Sequence, residues 1–140
     1  MNKVAIVYWS GTGNTEAMAG AVLEGVQRAG AEGALYTAAE FDPNILGSFD
    51  TVAFGCPSMG SEQLEEGEFE PMFSRCEPML SAKKIGLFGS YGWGDGEWMR
   101  NWQDQCLKDG AIMAAEPVIC NDCPNDTALE ECRNLGEALA

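Results

Sequence analysis

The sequence predicts an α/β fold, a single doubly wound parallel sheet of five strands with helices on both faces, formed by residues 1–140 as one domain. Three observations lead there. Apolar runs of strand length alternate with stretches whose apolar residues recur at helical spacing, an order that right-handed crossovers turn into a parallel sheet. The strand runs are apolar almost throughout, as strands covered on both faces must be. The first run also opens without spacer into a loop rich in glycine and hydroxyl groups, and then into a helix.

Along the chain, Lys3 to Tyr8 is the first strand, and Met18, Val22, Val26 and Ala29 stripe the first helix, closed by Gly30. Gly33 to Tyr36 is a weaker second strand, and Asp42-Pro43 opens a short helix around Ile45. Thr51 to Gly55 is the third strand, followed by a helix striped by Phe69, Met72, Phe73 and Cys76 with Pro71 in its first turn. Lys84 to Gly89 is the fourth, followed by a stripe of Trp98, Trp102 and Cys106. Ala111 to Ile119 is the fifth strand, interrupted at Pro117 as suits an edge or a bulge. The last helix carries Ala128, Cys132, Leu135 and Leu139, with Thr127 and Glu130 spaced as a capping box. All these stripes are read as core facing the sheet.

With 22 acidic and 8 basic side chains the net charge is -14, which excludes nucleic acid and anionic membrane surfaces as partners and favours basic ones. No run approaches the ~20 apolar residues of a membrane span. Met1-Asn2-Lys3 leads straight into the first strand without a signal-peptide pattern, so the expected location is the cytoplasm. The absence of histidine removes Ser-His-Asp and Cys-His nucleophile systems. Six cysteines, most of them in apolar stretches, read as reduced thiols; Cys120-Asn121-Asp122-Cys123 alone has the spacing of a redox pair or half of a metal site.

Ser10-Gly11-Thr12-Gly13-Asn14-Thr15, between the first strand and first helix, is an anion pocket. Its glycines expose backbone N–H groups, and its hydroxyl and amide side chains add donors beside a helix N-terminus. It lacks the Gly-Lys-Ser/Thr of a triphosphatase, and Glu16 stands where a dinucleotide fingerprint needs a small residue. After the third strand comes Gly55-Cys56-Pro57-Ser58-Met59-Gly60-Ser61-Glu62, and after the fourth Gly89-Ser90-Tyr91-Gly92-Trp93-Gly94-Asp95-Gly96. In parallel sheets the ligand sits beyond the carboxyl ends of the strands, so a methionine and a tryptophan among small residues on these loops would flank a planar ring.

Together, Ser10 to Thr15, Met59-Gly60-Ser61-Glu62 and Ser90-Tyr91-Gly92-Trp93-Gly94 resemble the short-chain flavodoxins of anaerobic bacteria, over essentially the whole chain. The resemblance, not the residue pattern, implies the strand order 2-1-3-4-5 and a non-covalently held FMN at the point where strand order reverses. It assigns Ser10, Thr12, Gly13, Asn14, Thr15 and Ser90 to the phosphate, and Met59 and Trp93 to the two faces of the ring. Gly60 becomes the residue whose peptide turns over so that its carbonyl meets flavin N5-H, and Glu62 the acid that meets N3-H. Gly92, Gly94 and Asn121 fall near the ring's polar edge, with Gly11, Pro57, Ser58, Ser61 and Tyr91 completing the cofactor-binding loops. Pro57 and Ser61 depart from residues that some relatives carry, serine and aspartate respectively.

The implied function is a low-potential one-electron carrier working between the semiquinone and hydroquinone of FMN, with redox proteins as partners, no metal, and a monomeric state. Glu62, Glu65, Glu66, Glu68, Glu70, Asp95, Glu97 and Asp122 would ring the flavin, lower the potential of the second electron, and steer basic docking faces. An FMN-dependent NAD(P)H or quinone reductase on the same fold is the alternative, disfavoured because 140 residues leave no insertion for a second substrate pocket. A phospho-receiver domain would need acids where Trp9-Ser10 and Cys56-Pro57 stand.

Overall fold

The computed structural model describes residues 2–60 and 62–140. Strands β1 (Lys3–Tyr8), β2 (Glu32–Thr37), β3 (Thr51–Gly55), β4 (Lys84–Tyr91), β5 (Ile112–Met113) and β6 (Val118–Asn121) form one sheet. Its order is β2-β1-β3-β4-β5, with β6 also beside β4 and all pairings parallel. Helices α1 (Asn14–Arg28), α2 (Pro43–Leu46), α3 (Phe69–Cys76), α4 (Glu97–Lys108) and α5 (Asp126–Leu139) make the crossovers.

The alternation of strand side chains divides the core into two layers. Val4 and Ile6 of β1 meet Met18, Val22 and Val26 of α1 and Cys132, Leu135 and Leu139 of α5. Ala5 and Val7 face the opposite layer with Leu46, Phe69, Phe73, Trp98 and Trp102. There Phe54, Phe69, Phe73 and Trp102 meet largely edge to face. Each such fully buried side chain contributes about 1.5–3 kcal/mol. In the first layer α1 and α5 approach until backbones touch: a Cβ at Gly25 would collide with the Arg133 carbonyl, and one at Gly136 with that of Val22.

Three expectations are corrected. The fifth strand is not continuous: Ile85 is opposite Met113 and Phe88 opposite Val118, so 114–117 bulge out against only Gly86 and Leu87, and Pro117 offers no N–H to close the gap. The β6 half then pairs with Phe88 to Tyr91, which draws Ser90 and Tyr91 out of the expected loop and into β4. Finally, α5 is capped by Asn125, whose Oδ1 accepts from Ala128 N–H at 2.8 Å, while Thr127 lies within the first turn. Asp42 caps α2 as expected, accepting from Ile45 N–H at 2.9 Å.

Candidate functional site

A cleft of about 250 Å³ opens beyond the carboxyl ends of β1, β3 and β4. It is lined by Gly11, Thr12 and Asn14 at one end and by Pro57, Ser58, Met59, Ser90, Tyr91 and Gly92 further along. Trp9 and Asp122 also line it, and the sequence reading gave neither a cofactor-binding role. The available signal for Trp9 was its position, one residue beyond a strand that ends at the ligand edge.

At the first end the start of helix α1 faces the cleft. Gly13 precedes α1 at φ 94, a left-handed conformation that would strain any residue with a Cβ, and no side chain caps the turn that follows. The first-turn N–H groups of α1, which a helix cannot satisfy internally, are thus open to an anion. Ser10 Oγ accepts from Gly13 N–H at 3.0 Å and holds the loop closed. Thr15 and Ser90, 1 % and 5 % exposed, share a hydroxyl–hydroxyl hydrogen bond of 3.1 Å that ties α1 to β4. No lysine or arginine lines this end.

The other end is made of loops fastened at their bases. Cys56 N–H donates to the Phe88 carbonyl at 3.1 Å, Ser58 N–H to the Ser90 carbonyl at 3.0 Å, and Trp98 Nε1 to the Cys56 carbonyl at 3.2 Å. Met59 and Gln63 exchange backbone hydrogen bonds at 2.8 and 3.0 Å, closing a tight turn that holds Gly60 at φ 52 and Glu62 at φ 54. Ser61, which the sequence reading placed among the cofactor-binding residues, lies outside the described residues. Trp93 stands on the neighbouring loop with 63 % of its surface exposed, an unusual placement for an indole.

Glu62 Oε1 is buried against Gly94 and has no hydrogen-bond partner among the described residues; Glu62 lines the hollow between α3 and α4 rather than the cleft itself. An unpaired buried carboxylate oxygen is costly, so the position fits a group that brings its own N–H. That atom, the exposed Trp93 face and the uncapped helix fit the FMN that the resemblance implies. Asn121 ends β6 and is exposed, while the adjacent Asp122 lines the cleft at φ 56.

The acidic rim is less uniform than its sequence suggests. Burial opposes ionisation of Glu65, but backbone N–H groups of Phe69, Glu68 and Gly67, at 2.9, 2.8 and 2.7 Å, outweigh it and hold its carboxyl below the ordinary range. Glu65 therefore caps the turn into α3. Asp95 pairs with Arg100 at 3.0 Å, Glu68 accepts from Trp9 Nε1 at 3.1 Å, and Glu66 accepts from Gln63. Lys3, Arg28, Arg75, Lys83, Lys84 and Lys108, six of the eight cationic side chains, begin strands or end helices at the opposite edge of the sheet. The charge is therefore polarised along the strands, negative at the cleft.

A family model described as Flavodoxin matches residues 6–136. The flavodoxin of Megasphaera elsdenii is 45% identical over 137 residues, covering 98% of this chain and 98% of that one. The flavodoxin of Clostridium beijerinckii is 40% identical over 135 residues, covering 96% and 97% respectively. Among solved structures, the solution structure of two-electron reduced M. elsdenii flavodoxin superposes with a TM-score of 0.90 at 47% identity, covering 97% of each chain.

Proposed function

The chain belongs to the flavodoxin family, and on that premise we propose how this molecule holds FMN and works as an electron carrier rather than an enzyme. FMN supplies the one-electron chemistry, and the residues around the cleft bind it, orient it and set its potential. The observation that carries the reading is the uncapped N-terminus of α1, open at one end of the cleft beside Thr12 and Asn14.

The phosphate is received by the N–H groups that open α1, with the Thr12 hydroxyl and Asn14 amide on the cleft side. Ser10 and Thr15 act from behind, Ser10 by holding Gly13 and Thr15 by fixing the Ser90 hydroxyl. Gly11, Pro57, Ser58, Tyr91 and Gly92 give close backbone walls, and Met59 and Trp93 cover the ring. Glu62 accepts the ring N–H that its orphaned oxygen lacks. Gly60 supplies a peptide free to reorient, since a Cβ there would meet nothing within 4 Å and only its positive φ restricts it. Gly94 and Asn121 belong to the same ring edge.

The negative pole at the cleft holds the working potential low and orients the molecule cleft-first toward basic redox partners. No helix among the described residues is long and apolar enough to cross a membrane. The reading places residues 1–140 as one FMN domain, monomeric and cytoplasmic. Reductive titration tests it: the flavin takes up its electrons in two separated one-electron steps, and NADH or NADPH alone leaves it oxidised. Rapid bleaching by either nucleotide would make the chain a reductase.

A further inference from the structure

Cys120 and Cys123 have no part in the cofactor site, yet they bracket Asn121 and the cleft-lining Asp122. Cys120 sits beside Ser90 in the sheet, half-buried, with Sγ 3.6 Å from Met18 Sδ. Cys123 is exposed. Between them the chain bends sharply at Asp122, which is left-handed at φ 56 and whose N–H donates to the Tyr91 carbonyl at 2.8 Å. Cys120 Sγ leans into the bend, 3.7 Å from the Asp122 carbonyl oxygen, Cys123 Sγ lies 4.0 Å from the Pro124 carbonyl, and the two thiols are near enough that, after burial, the Cys123 charge raises the Cys120 thiol. The remaining cysteines, Cys56, Cys76, Cys106 and Cys132, are buried in the core, where burial pushes their thiols up to about 11 or 12. They are closed to reagents in solution.

We propose that Cys120 and Cys123 form a reversible disulfide that clamps the Asn121-Asp122 turn beside the cofactor cleft. The oxidant is a low-molecular-weight disulfide. The exposed Cys123 thiolate attacks one of its sulfurs, an S–S bond forms between them, and one small thiolate leaves. Cys120 Sγ then gives up its proton and attacks Cys123 Sγ, breaking the mixed disulfide and expelling the second small thiolate. The two cysteine protons end on the two released thiols, so the chain loses two electrons and the small disulfide gains them. Cys123 is the point of entry because it is exposed, and Cys120 resolves because the bend brings it to hand. Burial, then the charges of Cys123 and Asp122, raise the Cys120 thiol, which keeps it protonated until the mixed disulfide forms.

Closing this ring removes freedom from a turn that otherwise depends on one left-handed residue, so the turn meets the cofactor preorganised. This consequence rests on the FMN site proposed above; the location of the disulfide does not. The test treats FMN-loaded protein with bis(2-hydroxyethyl) disulfide, blocks remaining thiols, maps peptides by mass, and times FMN release by the return of its fluorescence on dilution. The expected result is one disulfide, Cys120 to Cys123, reversed by dithiothreitol, with release slowed about threefold against the reduced protein. Cys123→Ser, a change at an exposed position, abolishes both effects. A disulfide between other cysteines, a mixed disulfide that stops at Cys123, or equal release rates would overturn the proposal, while a chain that holds no FMN would overturn the site reading instead.

Discussion

The two ends of the cleft are built by different means. The end at α1 is made from secondary structure: a helix terminus, a left-handed glycine locked by Ser10, and a buried Thr15–Ser90 pair that joins helix to sheet. The end at Met59, Gly60 and Glu62 and at Gly92 to Gly96 is made from turns, with positive-φ residues, an exposed indole and a carboxylate oxygen without a partner among the described residues. The difference teaches a division of labour. On the function proposed above, a rigid, neutral cradle supplies affinity independent of oxidation state, and an adjustable, negatively charged edge supplies the energy difference between oxidation states, which is the potential.

The contrast breaks if a change at one end moves the property assigned to the other. Thr12→Val removes a cleft-facing hydroxyl while keeping side-chain shape. A hydrogen bond to a charged group is worth about 1.5–3 kcal/mol, so FMN affinity is expected to fall by roughly 10- to 100-fold in a fluorescence titration. Both one-electron potentials of the bound cofactor remain in place; a substantial shift in either would mean the phosphate end also sets potential.

Gly60→Val acts at the other end. A β-branched residue at φ 52 costs on the order of 1–3 kcal/mol, and the penalty differs between the peptide orientations that follow oxidation state. The two one-electron potentials should draw together by roughly 40–130 mV in a spectroelectrochemical titration, with FMN affinity in the oxidised state nearly unchanged. Loss of FMN without convergence of the potentials would make Gly60 a packing residue.

Much of this arrangement was legible in the sequence because it rests on local pattern. The run from Lys3 to Thr15 announces a strand, an anion loop and a helix start, and the helical stripes named from spacing lie in the core except at Ala29, which follows the last turn of α1 and is exposed. What was not legible depends on which way a backbone N–H points or which strand pairs with which. Glu65 stands in a run of acids, and nothing in the run shows that three backbone donors converge on it rather than on Glu66 or Glu68. Asn125 and Thr127 are both good caps, and the choice between them is made by where β6 ends. Pro117 marked the break in the fifth strand, but the size of the bulge appears only from its pairing with β4.

Glu62→Gln sharpens the comparison by removing one charge without removing the side chain. A carboxylate about 10 Å from an added negative charge opposes it by about 1.7 kcal/mol at an effective dielectric near 20, or about 70 mV. The lower potential should rise by tens of millivolts, less in high salt. A fall would show that Glu62 acts mainly through its hydrogen bond.

The smallest effect lies away from the cleft and serves as a control. Burial, then the neighbouring Asp109 carboxyl, raises the Glu77 carboxyl from its usual value to about 7. The folded chain holds this proton more tightly than the unfolded one, so the contribution is full below the ordinary carboxylate range and declines as pH rises toward about 7. Solvent screening keeps it below about 1 kcal/mol. Glu77→Gln should flatten that slope in urea denaturation between pH 5 and 8 and leave the flavin potentials alone.

The central claim is that the α1 end supplies affinity, and it is tested most directly by titrating apoprotein with FMN and with riboflavin in phosphate-free buffer. Riboflavin keeps the ring and lacks the phosphate. The account predicts that FMN binds at least about 100-fold more tightly, the equivalent of two charge-assisted hydrogen bonds at the low end of their range. Comparable affinities would contradict it and move the source of binding to the ring.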